Sequence, residues 1–311
     1  MRRLRIGTRG SVLAQWQAHS ICERLVREAG VEAEIVLIKT SGDRFQHASV
    51  SQIGLKGVFI KELEDALLER RVDLAVHSMK DVPTEIPAGL AFPAICRRED
   101  IHDCLVAHKA GARLADLPPG ARLGTSSFRR QSQLRHFRPD FELRELRGNV
   151  DTRLRKVAAG DYDAIVLAKA GLDRLGWSAR ITEVISTDIS LPAVGQGALG
   201  IEARADDSEV LDLLARLDHA ETRFGVLAER ALLAALEGGC QVPLGAWGRI
   251  EDGELALEAC VLSPDGAECI RKRAGGPPQK AEAMGRALAG ELLSAGADRI
   301  LKLVGRQVGR P

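Results

Sequence analysis

Apolar spacing changes period several times along the first eighty residues. Leu4–Thr8 reads as a short strand. Ser11 then stands as an N-cap before Ala14, Ala18, Ile21 and Leu25, which share one helical face closed by Gly30. Ile35–Ile38 is a continuous apolar run of the buried-strand kind. The polar stretch Thr40–Gly57, with Gly42, Gly54 and Gly57, predicts a long loop. Phe59–Arg70 returns to helical spacing with Ile60, Leu63 and Leu67 inward, and Val72–Val76 is another buried strand. Strand–helix–strand–helix–strand implies a parallel sheet covered by crossover helices.

Ala94–Asp103 reads as a crossover into a second unit of the same style. There Arg122–Gly124, Glu142–Leu146 and Ala164–Ala168 are predicted strands, and Ser127–Phe137 and Asp151–Ala159 predicted helices. Leu191–Gly200 reads as a second crossover. A chain that leaves one domain, builds another and returns places a ligand cleft between them. From about Ala220 the texture changes. Glu221–Leu236 is helical, with Leu227, Ala231 and Ala235 aligned. Strands then join through Asp252-Gly253 and Asp265-Gly266, both hairpin signals. A last helix carries Met284, Leu288, Leu292 and Ala295 on one face. The expected class is α/β. Domain one is 1–97 with 193–217, domain two 98–192, and a small α+β domain fills 218–311.

The 311 residues are 45% hydrophobic, enough for more than one core. Net charge is only +1, so no global field attracts nucleic acid or an anionic membrane, although 44 Lys and Arg leave room for local basic clusters. Aromatics at 4% argue against a base-stacking surface. Cys22, Cys96, Cys104, Cys240, Cys260 and Cys269 show neither paired nor zinc-type spacing, which reads as reduced thiols of a cytoplasmic protein. Met1–Ile6 is basic with no apolar segment after it, so no signal peptide is expected. No apolar run nears the roughly 18 residues of a membrane span.

Candidate chemistry gathers where strands end, the side of an open α/β sheet at which ligands bind. Lys80 and Asp81 follow Val72–Val76 in His77-Ser78-Met79-Lys80-Asp81-Val82-Pro83; a solvated Lys–Asp corner is the plain alternative. Gly124-Thr125-Ser126-Ser127-Phe128-Arg129-Arg130 is a strand, a hydroxyl-rich turn and a helix start, suited to an anion. Arg129 and Arg130 oppose the helix dipole there, so helix stability does not explain them. Simple capping by Ser126 or Ser127 is the alternative. Thr8-Arg9-Gly10-Ser11, Leu146-Arg147-Gly148-Asn149 with Arg153, and Arg174 repeat the placement, and Lys56 lies in Gly54–Gly57. Together these arginines suit a ligand with many carboxylates. Cys240 follows a helix and a double glycine in Leu236-Glu237-Gly238-Gly239-Cys240-Gln241-Val242-Pro243, as either filler or an attachment point. No Walker A or GxGxxG pattern occurs, and His77, His102, His108 and His219 lack metal-ligand spacing.

The stretches TRGS, GLKGVFIKELE, DLAVHSMKDVPT, GTSSFRRQ, LRGNVDTRL, DAIVLAKAGLDRLG, ISLPAVGQGALGIE and LEGGCQVPLG run in order from Thr8 to Gly245. In them the chain resembles the porphobilinogen deaminase (hydroxymethylbilane synthase) family. The resemblance implies two domains like type II periplasmic binding proteins, with mixed, mainly parallel sheets, and a small α+β third domain. It implies a dipyrromethane cofactor held by a thioether to Cys240. The implied reaction is condensation of four porphobilinogens onto that primer with loss of ammonia, then hydrolytic release of the linear tetrapyrrole for haem synthesis. Asp81 matches the catalytic position. Cofactor contacts are implied for Lys80, Thr125, Ser126, Ser127, Arg129, Arg130, Arg147, Gly148 and Asn149. Substrate contacts are implied for Arg9, Ser11, Gln17, Lys56, Arg147, Arg153, Arg174 and Gln196. A cytoplasmic monomer is implied, with no metal and no nucleic-acid or membrane partner. Thr40–Gly57 resembles the family's mobile loop, but Gln52 stands where many members have a lysine. A small-anion receptor would need the arginines without Asp81 or Cys240. A nucleic-acid binder runs against the near-zero charge and few aromatics.

Overall fold

A computed structural model describes residues 3–39, 60–236 and 242–307. The chain begins β1 (Leu4–Thr8), α1 (Val12–Arg24), β2 (Ala33–Leu37), α2 (Lys61–Leu68), β3 (Leu74–Ser78) and β4 (Leu90–Ile95). It continues β5 (Asp103–Ala107), β6 (Arg122–Gly124), α3 (Phe128–Phe137), β7 (Glu142–Arg144), α4 (Val150–Ala158), β8 (Ala164–Ala168), α5 (Lys169–Arg174) and β9 (Glu183–Val184). It ends β10 (Leu199–Arg204), α6 (Ser208–Ala215), α7 (Ala220–Ala235), β11 (Leu244–Glu251), β12 (Glu254–Leu262), β13 (Cys269–Gly276), α8 (Ala281–Leu292) and α9 (Asp298–Gln307). Two compact units result, 1–99 with 197–223 and 100–196 with 224–311.

The first unit is built on a sheet ordered β2-β1-β3-β10-β4. β1 runs parallel to β2 and β3, whereas β10 is antiparallel to β3 and β4. Side chains alternate across it. Leu74 and Val76 join Leu4, Ile6 and Ile201 against Ala18, Ile21 and Leu25 of the first helical segment. Ala75 turns the other way, with Val72, onto Leu63, Ala66 and Leu67 of α2. Ser11 Oγ accepts from Ala14 N at 3.3 Å and so starts α1; Gly30, at φ +67, stops the helical chain in the left-handed region. Ile60 is buried at the start of α2, while the predicted loop Thr40–Gly57 and Phe59 lie outside the described residues.

The second unit repeats that plan as β7-β6-β8-β5-β9. β6 is parallel to β7 and β8, and β5 antiparallel to β8 and β9. Each sheet thus holds two parallel and two antiparallel ladders. The alternation-based expectation of a parallel sheet applies to β1, β2 and β3 of the first and β6, β7 and β8 of the second, which helices connect. The antiparallel member arrives from a crossover: β10 on the chain's return, β5 on its departure.

A third, antiparallel sheet, β11-β12-β13, lies in the same unit. Asp252 (φ +51) and Gly253 (φ +83) close its first hairpin between the paired Glu251 and Glu254. Ala228 and Leu232 of α7 and Leu288 and Leu292 of α8 cover Leu257 and Ala259. A Cβ on Gly225 would sit 2.5 Å from Gly248 O, so α7 reaches β11 backbone to backbone. Gly296, at φ +103, kinks the chain between α8 and α9. Ala297 and Ile300 then continue the buried face and Ala295 is exposed, not inward as its spacing suggested.

Candidate functional site

In the first unit the candidates sit at the C-terminal ends of β1 and β3. Thr8 Oγ1 donates to Ala14 O at 3.0 Å, tying β1 to the start of α1 around half-buried Arg9 and Ser11. Gln17 is buried on α1, and its Nε2 donates to Ser78 Oγ at 2.9 Å. After Ser78 the chain makes one tight turn, Met79–Asp81. Met79 N donates to Ala198 O at 3.0 Å, and Val82 N to Met79 O at 3.2 Å. The turn buries Met79, half-buries Lys80 and leaves Asp81 exposed. A Cβ on Gly200 would lie 2.2 Å from Met79 Sδ, so glycine there lets Met79 cross β10.

In the second unit the candidates again follow strand ends. Thr125 N donates to Arg144 O at 2.9 Å, extending the β6–β7 ladder by one residue. Ser126 Oγ donates to Leu146 O at 2.8 Å and accepts from Leu146 N at 3.0 Å, lacing the two turns together. Ser127 caps α3, accepting from Arg130 N at 3.4 Å. Gly148 takes φ +107, a conformation few other residues reach, and Asn149 stands at the N-cap of α4. Arg153 Nε donates to Gly148 O at 2.8 Å, and Arg147 Nε to Glu145 at 2.6 Å. Arg174 is buried at the end of α5.

Arg129, Arg130 and Gln196 converge on Asp103. Both guanidiniums turn inward, because Asp103 lies beneath the start of α3 with its carboxylate fully buried. Gln196 is likewise fully buried and donates to Ile101 O at 2.8 Å and Asp103 Oδ1 at 2.9 Å. Burial alone would raise the Asp103 carboxyl; the two guanidiniums overcome that and hold it far below the usual carboxylate range. Sequence reasoning passed over Asp103, whose one signal was an acidic residue leading into the apolar run Cys104–Ala107. It also passed over Glu229, buried in α7, which accepts from Gly195 N at 2.6 Å and Gly248 N at 2.7 Å. Lys56 and Cys240 lie outside the described residues.

Each cluster presents cations and hydroxyls from strand ends. Among the described residues no group of three His, Cys, Asp or Glu could hold a metal ion, and no helix is long and apolar enough to cross a membrane. Residues 4–212 match the family model described as porphobilinogen deaminase, dipyromethane cofactor binding domain, and residues 224–294 the one described as its C-terminal domain. The chain belongs to the porphobilinogen deaminase family. It is a transferase that makes hydroxymethylbilane with a dipyrromethane cofactor.

Solved structures with a similar fold include the BvgS VFT2 domain of Bordetella pertussis, at 15% identity and TM-score 0.40, covering 69% of this chain and 85% of that one. A periplasmic substrate-binding protein of an ABC transporter from Coxiella burnetii has 14% identity and TM-score 0.43, with 69% and 91% covered.

A dipyrromethane brings an acetate and a propionate on each of its rings. The donors of the second unit suit such a group. Arg147 and Arg153 are half-buried beside the hydroxyls of the Thr125–Ser127 turn. The Nε–H groups of Arg129 and Arg130 are buried with no acceptor among the described residues.

Proposed function

We propose that Asp81 carries the chemistry of each condensation and that Cys240 anchors the cofactor through a thioether. One observation supports Asp81 most: the Met79–Asp81 turn buries Met79 and leaves Asp81 exposed just past the end of β3, three residues after Ser78, which Gln17 holds.

The reaction breaks the aminomethyl C–N bond of porphobilinogen, forms a C–C bond to a pyrrole α-carbon and removes that carbon's proton. When bound, the dipyrromethane supplies the nucleophilic pyrrole carbon and a tether for the product chain. The Asp81 carboxylate accepts the substrate's pyrrole N–H and balances the positive charge that spreads onto the ring as ammonia leaves. The same carboxylate assists departure of the α-proton. Arg9, Ser11, Gln17 and Lys56 serve the substrate's acetate and propionate, as do Arg153 and Arg174. Lys80, Arg147, Gly148, Asn149 and the Thr125–Ser127 turn serve the cofactor. Uncompensated carboxylates in such a site would be prohibitively costly. Gln196 is assigned to the substrate as well; it is fully buried and its Nε2 donates to Asp103 Oδ1 at 2.9 Å.

Three domains, 1–97 with 193–217, 98–192 and 218–311, are part of the same proposal. Three separate sheets, each with its own apolar cluster, support it. So is a cytoplasmic monomer working on free porphobilinogen. The test is Asp81→Ala in protein whose cofactor mass is intact. Turnover should fall by about 10²–10³, the loss typical of one preorganised electrostatic contact. Near-normal turnover contradicts the assignment.

A further inference from the structure

Asp103 is the first residue of β5 and the meeting point of three segments. Its Oδ2 accepts from Arg129 Nη1 at 2.8 Å and Ser190 Oγ at 2.7 Å. Its Oδ1 accepts from Arg130 Nη2 at 2.7 Å and Gln196 Nε2 at 2.9 Å. The arginines come from the first turn of α3, and Ser190 and Gln196 from the crossover that leaves the unit. Backbone carbonyls complete the arrangement, Leu191 O for Arg129 at 2.6 Å and Val166 O for Arg130 at 2.9 Å.

The charges do not balance. Two buried guanidiniums share one buried carboxylate, and the remaining partners are neutral. Burying charge is costly, and an apolar substitute for such a triad is often as stable. A net positive charge kept in the interior, with both Nε–H groups lacking acceptors among the described residues, is a poor device for stability alone. It is a good device for receiving an acid. The donors are fixed before the acid arrives, so binding costs little side-chain ordering.

We propose that Asp103 is a positioning residue for cofactor capture. It locks Arg129 and Arg130 at the hydroxyl-rich turn and trims their charge to the single positive unit that one cofactor carboxylate neutralises. This rests on the reading that the Thr125–Ser127 turn holds the cofactor. Asp103 itself touches neither cofactor nor substrate.

The test uses the full chain, made in cells with and without a porphobilinogen supply, as wild type, Asp103→Asn and Asp103→Glu. Intact mass gives the loaded fraction, and thermal melting compares loaded with unloaded protein. Asp103→Asn raises the buried charge and loosens both arginines. Its loaded fraction should fall at least fivefold, and the melting gap between loaded and unloaded forms should shrink by half or more. Asp103→Glu keeps a carboxylate for both guanidiniums. It should recover at least half of the loading that Asp103→Asn loses. A merely structural Asp103 would lower both melting temperatures equally and leave loading unchanged in the molecules that fold. That result, or an Asp103→Glu that loads no better than Asp103→Asn, overturns the proposal. A wild type that carries no adduct removes the underlying reading instead.

Discussion

Gln17 Nε2 donates to Ser78 Oγ across 2.9 Å, joining the middle of α1 to the last residue of β3. Asp81 lies three residues beyond. The contact therefore sets the register of the helix that carries Ser11 against the strand that delivers Lys80 and Asp81. Gln17→Ala removes a hydrogen bond of about 1 kcal/mol, so folding should change little. Turnover should fall about tenfold, since misplacement near 1 Å can cost up to about 10². Urea unfolding and kcat, measured on protein of unchanged cofactor mass, separate the two effects. An unaltered kcat contradicts a positioning role.

Behind the same turn, His77 Nε2 and Glu202 Oε2 lie 2.9 Å apart with both side chains almost wholly buried. Phe92 tilts against the imidazole, ring centroids 5.9 Å apart. Removing one partner leaves the other's polar atoms buried without it, so Glu202→Ala should cost about 1–3 kcal/mol. Replacing both with leucine should cost clearly less than the two single changes summed. Denaturant midpoints of the four proteins decide it, and simple additivity denies the coupling.

Acid should unfold the second unit in a definite window. Asp103 is held far below the ordinary carboxylate value, so the folded protein binds fewer protons than the unfolded chain. Its contribution is complete above about pH 5 and drains as pH falls through about 4 toward its folded value. Asp163 is lowered too, by its hydrogen bond from Arg122, and adds in the same direction. Unfolding free energy attributable to these groups should be flat from pH 7 to 5 and fall below about 4. A steep loss between pH 7 and 5 would assign acid sensitivity to other groups.

The cysteines differ in reactivity for physical reasons. Burial pushes the Cys104 and Cys260 thiols up to about 12, where almost no thiolate exists at neutral pH. Cys269 is exposed. Alkylation of the native protein followed by peptide mapping should modify Cys269 well before either buried thiol. Labelling of Cys104 or Cys260 at the same rate contradicts their burial.

Much of this architecture was legible from spacing. Leu4–Thr8, Arg122–Gly124 and Ala164–Ala168 form the strands their patterns predict, because each is short, apolar and bounded by a turn. Ser11 and Ser127 cap the helices they precede. The antiparallel β5 and β10 were not legible, since pairing between segments as distant as Asp103 with Ala168 and Leu199 with Ser78 leaves no local period. The arginines illustrate the same limit. The helix dipole marks Arg129 and Arg130 as unusual, but only tertiary structure shows that they bond Asp103, 26 and 27 residues earlier. Gln196 reads as a polar residue in a glycine-rich crossover and turns out fully buried. Nothing in its neighbours shows which groups will satisfy it.

On the proposed reading one thiol carries the primer on which Asp81 builds the product. Intact mass under denaturing conditions, followed by peptide mapping, is the deciding measurement. Protein made with its porphobilinogen supply intact should exceed the sequence mass by a two-pyrrole adduct, on the peptide containing Cys240 and no other. The bare sequence mass, or the adduct on a different cysteine, contradicts the account.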